Sequence, residues 1–233
     1  NFVAGDPDDS GARAMDAVSP SLGIVVGAIE NVEFFGTIGR SFETPTTTEL
    51  ANQPSGAGGF NPNLEPQTGL TIEGGVRATV AQQWGMELSV FRTKLENSLV
   101  PFEVAGGAGR TYFRNAGESV HNGWELSLDG RILPGLSTRI AYTNIDAAFV
   151  AFATDTDDFS GNKIPGLAPQ RLDGLIAFDR GVGFVELRGL WQDDVPVDDA
   201  GLTSSPSYFI ADVRVGLDDM NIGRVNVAPF FGI

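Results

Sequence analysis

LTIEGGVRATV, residues 70–80, decides the fold. Leu70, Ile72, Gly74, Val76, Ala78 and Val80 alternate with Thr71, Glu73, Gly75, Arg77 and Thr79, so a period of two separates an oily face from a charged one. Two further stretches repeat the pattern. Trp124, Leu126, Leu128 and Ile132 oppose Glu125, Ser127, Asp129 and Arg131, and Phe209, Ala211, Val213, Val215 and Leu217 oppose Asp212, Arg214 and Gly216. Alternation of this kind is the signature of a strand with unlike surroundings on its two sides.

Working outward, the breaks between such runs fall into two kinds. Short connections lie at Glu30-Asn31, Gln82 to Gly85, Leu133 to Gly135, Arg180 to Gly183 and Asp218 to Gly223. Long polar ones lie at Thr44 to Gln67, Val104 to Arg110, Ala153 to Gln170 and Asp193 to Ser207. Short and long alternate throughout if residues 111–132 make one crossing, although Asn122-Gly123 inside that span is a strong hairpin signal. The spacing predicts about ten antiparallel strands, at 19–29, 32–43, 68–80, 85–103, 111–132, 136–152, 171–179, 183–192, 208–217 and 224–233. Short turns on one rim and long loops on the other are the layout of an outer-membrane barrel. Pro101 and Pro229 fall inside these strands, where proline marks an edge or a bulge.

Composition agrees with that class. The 233 residues include 30 Gly, 13 Pro and no Cys, with a formal net charge of −15, which argues against a nucleic-acid surface. The first residues, NFVAGDPDDSG, have neither the basic nor the apolar region of a signal peptide. No apolar run approaches the roughly 20 residues of a spanning helix, so a membrane protein of this composition crosses with closed strands. A soluble sandwich would also alternate, but it seldom divides its connections so regularly. Aromatic residues are expected as interfacial girdles: Phe34, Phe35, Trp84, Phe178 and Phe184 beside the short turns, and Phe42, Trp191, Tyr208 and Phe209 towards the long loops.

An ordered set of segments then comes into view: Ser19-Pro20-Ser21-Leu22-Gly23, Gly39-Arg40-Ser41-Phe42-Glu43-Thr44-Pro45-Thr46, Asn61-Pro62-Asn63-Leu64-Glu65-Pro66-Gln67, Arg110-Thr111-Tyr112-Phe113-Arg114-Asn115-Ala116-Gly117, Gly123-Trp124-Glu125-Leu126-Ser127-Leu128, and Gly161-Asn162-Lys163-Ile164-Pro165-Gly166. The succession resembles the barrel of TonB-dependent receptors over nearly the whole of residues 1–233. The resemblance implies an all-β transmembrane barrel of about 22 strands, of which this chain supplies about ten. It also implies a location in the bacterial outer membrane, a plug domain in the same full-length chain and energy relayed by TonB. The cargo it implies is a ferric siderophore or similar iron chelate. The sequence contains no plug and no TonB-contacting segment, and it stops at Phe230-Phe231-Gly232-Ile233 without closing strands, so it reads as an internal fragment.

Residue chemistry nominates little beyond structure. Glu73, Arg77, Glu125, Asp129, Arg131, Asp212 and Arg214 are expected to line the lumen, with Trp124 and Leu126 facing lipid. His121 is the sole histidine. It would serve a rival reading, a complete ten-stranded surface hydrolase in which it works with a carboxylate; a passive pore is the other rival. Asp155, Asp157 and Asp158, with Asp193, Asp194, Asp198 and Asp199, could hold a divalent cation, but their spacing fits a solvated loop better. The expectation is a non-enzyme with no catalytic, cofactor or metal residues and with its ligand-binding residues unassigned. Its partners would be plug, TonB, chelate and outer-membrane lipids, and no nucleic acid.

Overall fold

A computed structural model describes residues 10–51, 53, 59–103, 111–115, 117–154, 157–223 and 225–233. In chain order its elements are β1 (Ser21–Ile29), β2 (Val32–Glu43), α1 (Thr47–Leu50), β3 (Gln67–Val80), β4 (Trp84–Glu96), β5 (Leu99–Glu103), β6 (Thr111–Asn115), β7 (Glu118–Leu133) and β8 (Leu136–Ala151). There follow β9 (Gln170–Asp179), β10 (Gly183–Gln192), β11 (Val195–Pro196), β12 (Ser204–Ser205), β13 (Tyr208–Leu217), β14 (Met220–Ile222), β15 (Val225–Val227) and β16 (Phe230–Gly232).

Ten of these strands form one sheet in the order β1-β2-β3-β4-β7-β8-β9-β10-β13-β16. Each neighbour is the next long strand along the chain, and every pairing is antiparallel. The sheet is an open up-and-down wall whose edges are β1 and β16. Its register turns the sequence alternation into two surfaces. One continuous apolar row runs Val26, Phe34, Val76, Leu88, Leu126, Tyr142, Leu172, Trp191 and Phe209, each opposite the next. The row starts near a short turn and ends beside a long loop, because strands in a barrel wall tilt and stagger. The apolar face is left bare, with Leu22 73%, Ile72 51% and Phe209 66% exposed. In water such a surface would be a severe liability, whereas lipid covers it without cost.

The short rim is built from local backbone chemistry. Asn31 has φ 65° in the β1–β2 turn, and Ala81 and Gln82 have φ 50° and 56° in the β3–β4 turn. Gln83 N–H donates to the Val80 carbonyl at 3.2 Å, closing a turn with two left-handed central residues, the geometry that follows strand twist. At Asp179 the carboxylate accepts from the Gly181 N–H at 2.8 Å, an Asx turn before β10.

The expected strands at 85–103 and 111–132 are each divided. β4 ends at Glu96 and β5 begins at Leu99, while β6 ends at Asn115 and β7 begins at Glu118. The break sits at Asn97, whose φ of 59° leaves the ladder, and the Asn115 side chain donates to the Asn97 carbonyl at 2.8 Å in place of a backbone bond. Above it β5 and β6 form a separate two-stranded ribbon. Pro101 lies in that ribbon, where its missing donor costs little because each strand has only one neighbour. Asn122-Gly123 is not a turn; both residues pair on both sides within β7. The expected strand at 224–233 is also corrected. Residues Met220–Ile222 and Val225–Val227 close a small hairpin, and only Phe230–Gly232 joins the wall, after Pro229. The connection Val104 to Arg110 lies outside the described residues, as does Asp155.

Candidate ligand-facing wall and outer loops

The second face of the wall is polar and is organised by cross-strand pairs. Arg77 donates from Nε to Glu87 at 2.7 Å and stands 4.0 Å from Glu33 on its other flank. Arg188 meets Asp173 at 3.0 Å, and Arg214 meets Glu186 at 3.6 Å. Glu73, Arg77, Glu125, Asp129, Arg131, Asp212 and Arg214 share this face by register, as their alternation requires. Trp124 and Leu126 lie on the opposite, apolar face, where the Trp124 and Tyr142 rings sit 4.9 Å apart.

Three of the expected girdle residues belong to the polar face instead. Phe35 is directly opposite Gly75, Phe184 is directly opposite Gly216, and Tyr208 is opposite Gln192, to which its hydroxyl donates at 3.3 Å. Strand parity decides this: Phe34 and Phe35 cannot both face lipid. The two phenylalanines have a packing role, since each ring lies over the glycine across from it, and Arg77 and Arg214 stack on Phe35 and Phe184 at 5.6 and 5.2 Å. Phe34, Phe42, Trp84, Phe178, Trp191 and Phe209 remain on the apolar face.

The long connections fold back over the polar face at one rim and carry the main buried cluster among the described residues. Phe149 and Phe152, 4% and 3% exposed, pack together with Phe159, with ring centroids 4.8 and 5.3 Å apart, and Val100 and Ile164 lie against them. After β2, Thr46 caps α1. Its hydroxyl accepts from Glu49 N–H at 3.4 Å while the Glu49 carboxylate accepts from Thr46 N–H at 2.6 Å, a capping box that bends the chain inward. The segment beginning Asn61-Pro62 then docks on β6. Asn115 accepts from Glu65 N–H and donates to the Glu65 carbonyl, both at 2.7 Å, and Arg13 donates to the Pro62 and Leu64 carbonyls and to the Glu65 carboxylate. Leu64 is thereby 2% exposed. Two of the segments that carry the family resemblance are thus each other's partners across fifty residues. Asn115→Ala removes the bonds to both Glu65 and Asn97, and the outer loop is expected to loosen before the wall does. Protease cleavage within residues 59–67 on intact cells should accelerate severalfold with the wall's melting temperature nearly unchanged, and equal cleavage rates would refute the docking.

The loop carboxylates serve turns. Asp158 accepts from Ser160 N–H at 2.9 Å, Asp194 from Ser207 N–H at 2.6 Å, and Asp198 from Leu202 N–H at 3.0 Å. The bonds from Ser160 hold Asp158 below the usual carboxylate range, and the Leu202 N–H does the same for Asp198. Among the described residues no three acidic or histidine side chains gather closely enough to hold a metal ion. His121 is on the polar face, opposite Thr93 and Ala147, so no carboxylate stands across from it on either neighbouring strand.

A tilted antiparallel wall, apolar outside and ion-paired inside, with tight turns on one rim and structured loops on the other, defines an outer-membrane type of barrel. Comparison with known proteins places it further: residues 1–228 match the family described as TonB dependent receptor-like, beta-barrel, and the chain belongs to that family. The metal-pseudopaline receptor CntO of Pseudomonas aeruginosa is 27% identical over 141 residues, 60% of this chain and 18% of that protein. Among solved structures, the siderophore receptor PiuA of Acinetobacter baumannii superposes with a TM-score of 0.65 at 20% identity, covering 85% of this chain and 29% of that one. The copper transporter OprC superposes at 0.72 with 13% identity, covering 92% and 32%. These structural likenesses establish the fold. The chain spans less than a third of the length of PiuA and about a fifth of CntO. The family is one of outer-membrane receptors and transporters.

Proposed function

We propose that these residues are part of the wall and outer loops of an outer-membrane importer that takes up a metal chelate, with a ferric siderophore as the cargo. The observation that carries the reading is the family match over residues 1–228 on a wall whose register separates an apolar from an ion-paired face. In this reading residues 1–233 are one portion of a larger barrel domain. Its plug lies elsewhere in the full-length chain, TonB supplies energy through that plug, and lipid covers the Leu126 face. CntO and PiuA, by name receptors for a metal chelate and a siderophore, support the cargo class. The polar face supplies paired charges for a plug to slide against.

Uptake of radioactive iron as its siderophore chelate, in cells whose sole receptor is the full-length protein, tests this. Uptake should fall to background when TonB is deleted. Undiminished uptake without TonB would indicate a passive pore.

A further inference from the structure

Between the polar face and the loop roof lies a cavity of about 530 Å³. Ser119 and His121 of β7 line its wall, Ser98 lies at its edge, and Asp198 and Asp199 come from the roof. Three of these groups are unsatisfied. The Ser119 hydroxyl is in a side chain only 2% exposed, and it has no hydrogen-bond partner; neither has Ser98 Oγ or His121 Nε2, both equally shut off from solvent. A buried polar atom left without a partner costs about 1–3 kcal/mol, so three around one space, two hydroxyls and an imidazole nitrogen, mark a place for the polar atoms of water or of a ligand.

The charges of the lining say what that something carries. Among the described residues that line the cavity there are two carboxylates and no lysine or arginine. The whole connection from Asp193 to Ser207 holds four aspartates and no cation. Elsewhere on the wall, Arg77 pairs with Glu87, Lys94 with Glu118 and Arg188 with Asp173. Asp198 is already steadied by the Leu202 N–H. Burial pushes the Asp199 carboxyl up from its ordinary value, Arg114 pulls it back, and the Asp198 charge pushes it further, so its charge is the less well compensated of the two. The remaining lining is apolar, with Leu95, Phe149 and Ile164 prominent.

We propose that this cavity is a binding site for an aliphatic amine, its ammonium on Asp199 and Asp198, its hydrocarbon against Leu95, Phe149 and Ile164, and hydroxyl or amide groups of the same molecule on Ser119 and His121. Resting on the importer reading above, the amine is an arm of the cargo, and that cargo is a chelate with a cationic or neutral periphery. A chelate fringed with free carboxylates or catecholates would meet two carboxylates, of which the Arg114 charge eases only Asp199. A desolvated ammonium–carboxylate contact is among the stronger single interactions available to a small ligand.

Residues 1–233 contain no cysteine, so this portion of the receptor supplies no competing thiol, and any cysteine elsewhere in the full-length receptor is first replaced by serine. Cysteine is placed at Ile164 in the full-length receptor in outer-membrane vesicles, and its reaction with a thiol reagent is timed with hexylamine, hexanol or hexanoate present. Hexylamine should slow the reaction about tenfold at ten times its dissociation constant, hexanol less and hexanoate not at all. Asp199→Asn should abolish the hexylamine effect, read as the ratio of the rates with and without amine in that same variant. Val197→Cys is the second reporter should the first fail to assemble. Equal protection by amine and carboxylate, or protection by neither, overturns the proposal. Transport is not measured, so failure here leaves the importer reading standing, and loss of TonB dependence leaves this site standing.

Discussion

Gly123→Val is expected to prevent the wall from assembling. A Cβ at this position would lie 2.5 Å from Cζ of Phe91 and 2.6 Å from the carbonyl oxygen of Asn144. The ring can swing aside, but the carbonyl belongs to the β8 ladder and moves only if the β7 and β8 backbones part. Overpacking of this kind costs about 3 kcal/mol or more when backbone must move, and a strand pair forced open in lipid strands its amides as well. The heat-modifiable, folded fraction on a gel should drop to a small minority. Gly36→Val is the control: the nearest atoms to its Cβ are 3.8 Å away, and a β-branched residue suits a lipid-facing strand position. Equal folding of the two variants would show that the close approach of Phe91 and Asn144 to Gly123 is not real.

The second large effect separates neighbours in sequence. Leu126 sits in the apolar row between Leu88 and Tyr142, and Ser127 sits on the polar face between Glu87 and Ala141. Leu126→Arg places a guanidinium in hydrocarbon, at a cost of about 2–4 kcal/mol near the bilayer centre. Ser127→Arg places the same group beside Glu87 on the wet side, at little cost. Denaturant titration of the receptor refolded into bilayers should show a clear loss for the first and a small change for the second. The reverse order would turn the wall inside out.

What the sequence discloses here is governed by locality. Alternation over residues 70–80, 124–132 and 209–217 gives the two faces, and the spacing of turns gives ten strands in order, because both depend on residues a few positions apart. Asn122-Gly123 misleads for a physical reason: the glycine is there to admit the Phe91 ring from across the ladder, a demand invisible within its own strand. Phe35, Phe184 and Tyr208 are legible by parity, since their neighbours Phe34, Val185 and Phe209 take the apolar face and leave them the polar one. The cavity was not legible. It depends on β7, the β5 ribbon and two loops meeting, and on contacts such as Asn115 with Glu65 that no local pattern encodes. The only hint was His121, and its meaning changes from a catalytic candidate to one of three unsatisfied polar groups in one pocket.

In the importer reading the long loops lie outside the cell, the short turns lie in the periplasm, and lipid covers the wall between them. Leu202, 87% exposed in the Asp193–Ser207 connection, and Val182, 77% exposed in the β9–β10 turn, mark the two rims. Each is changed to cysteine in the full-length receptor, and whole cells are treated with a membrane-impermeant maleimide. Leu202→Cys should label rapidly on intact cells, and Val182→Cys only after the outer membrane is made permeable. Labelling of Val182→Cys on intact cells, with Leu202→Cys protected, would contradict that orientation.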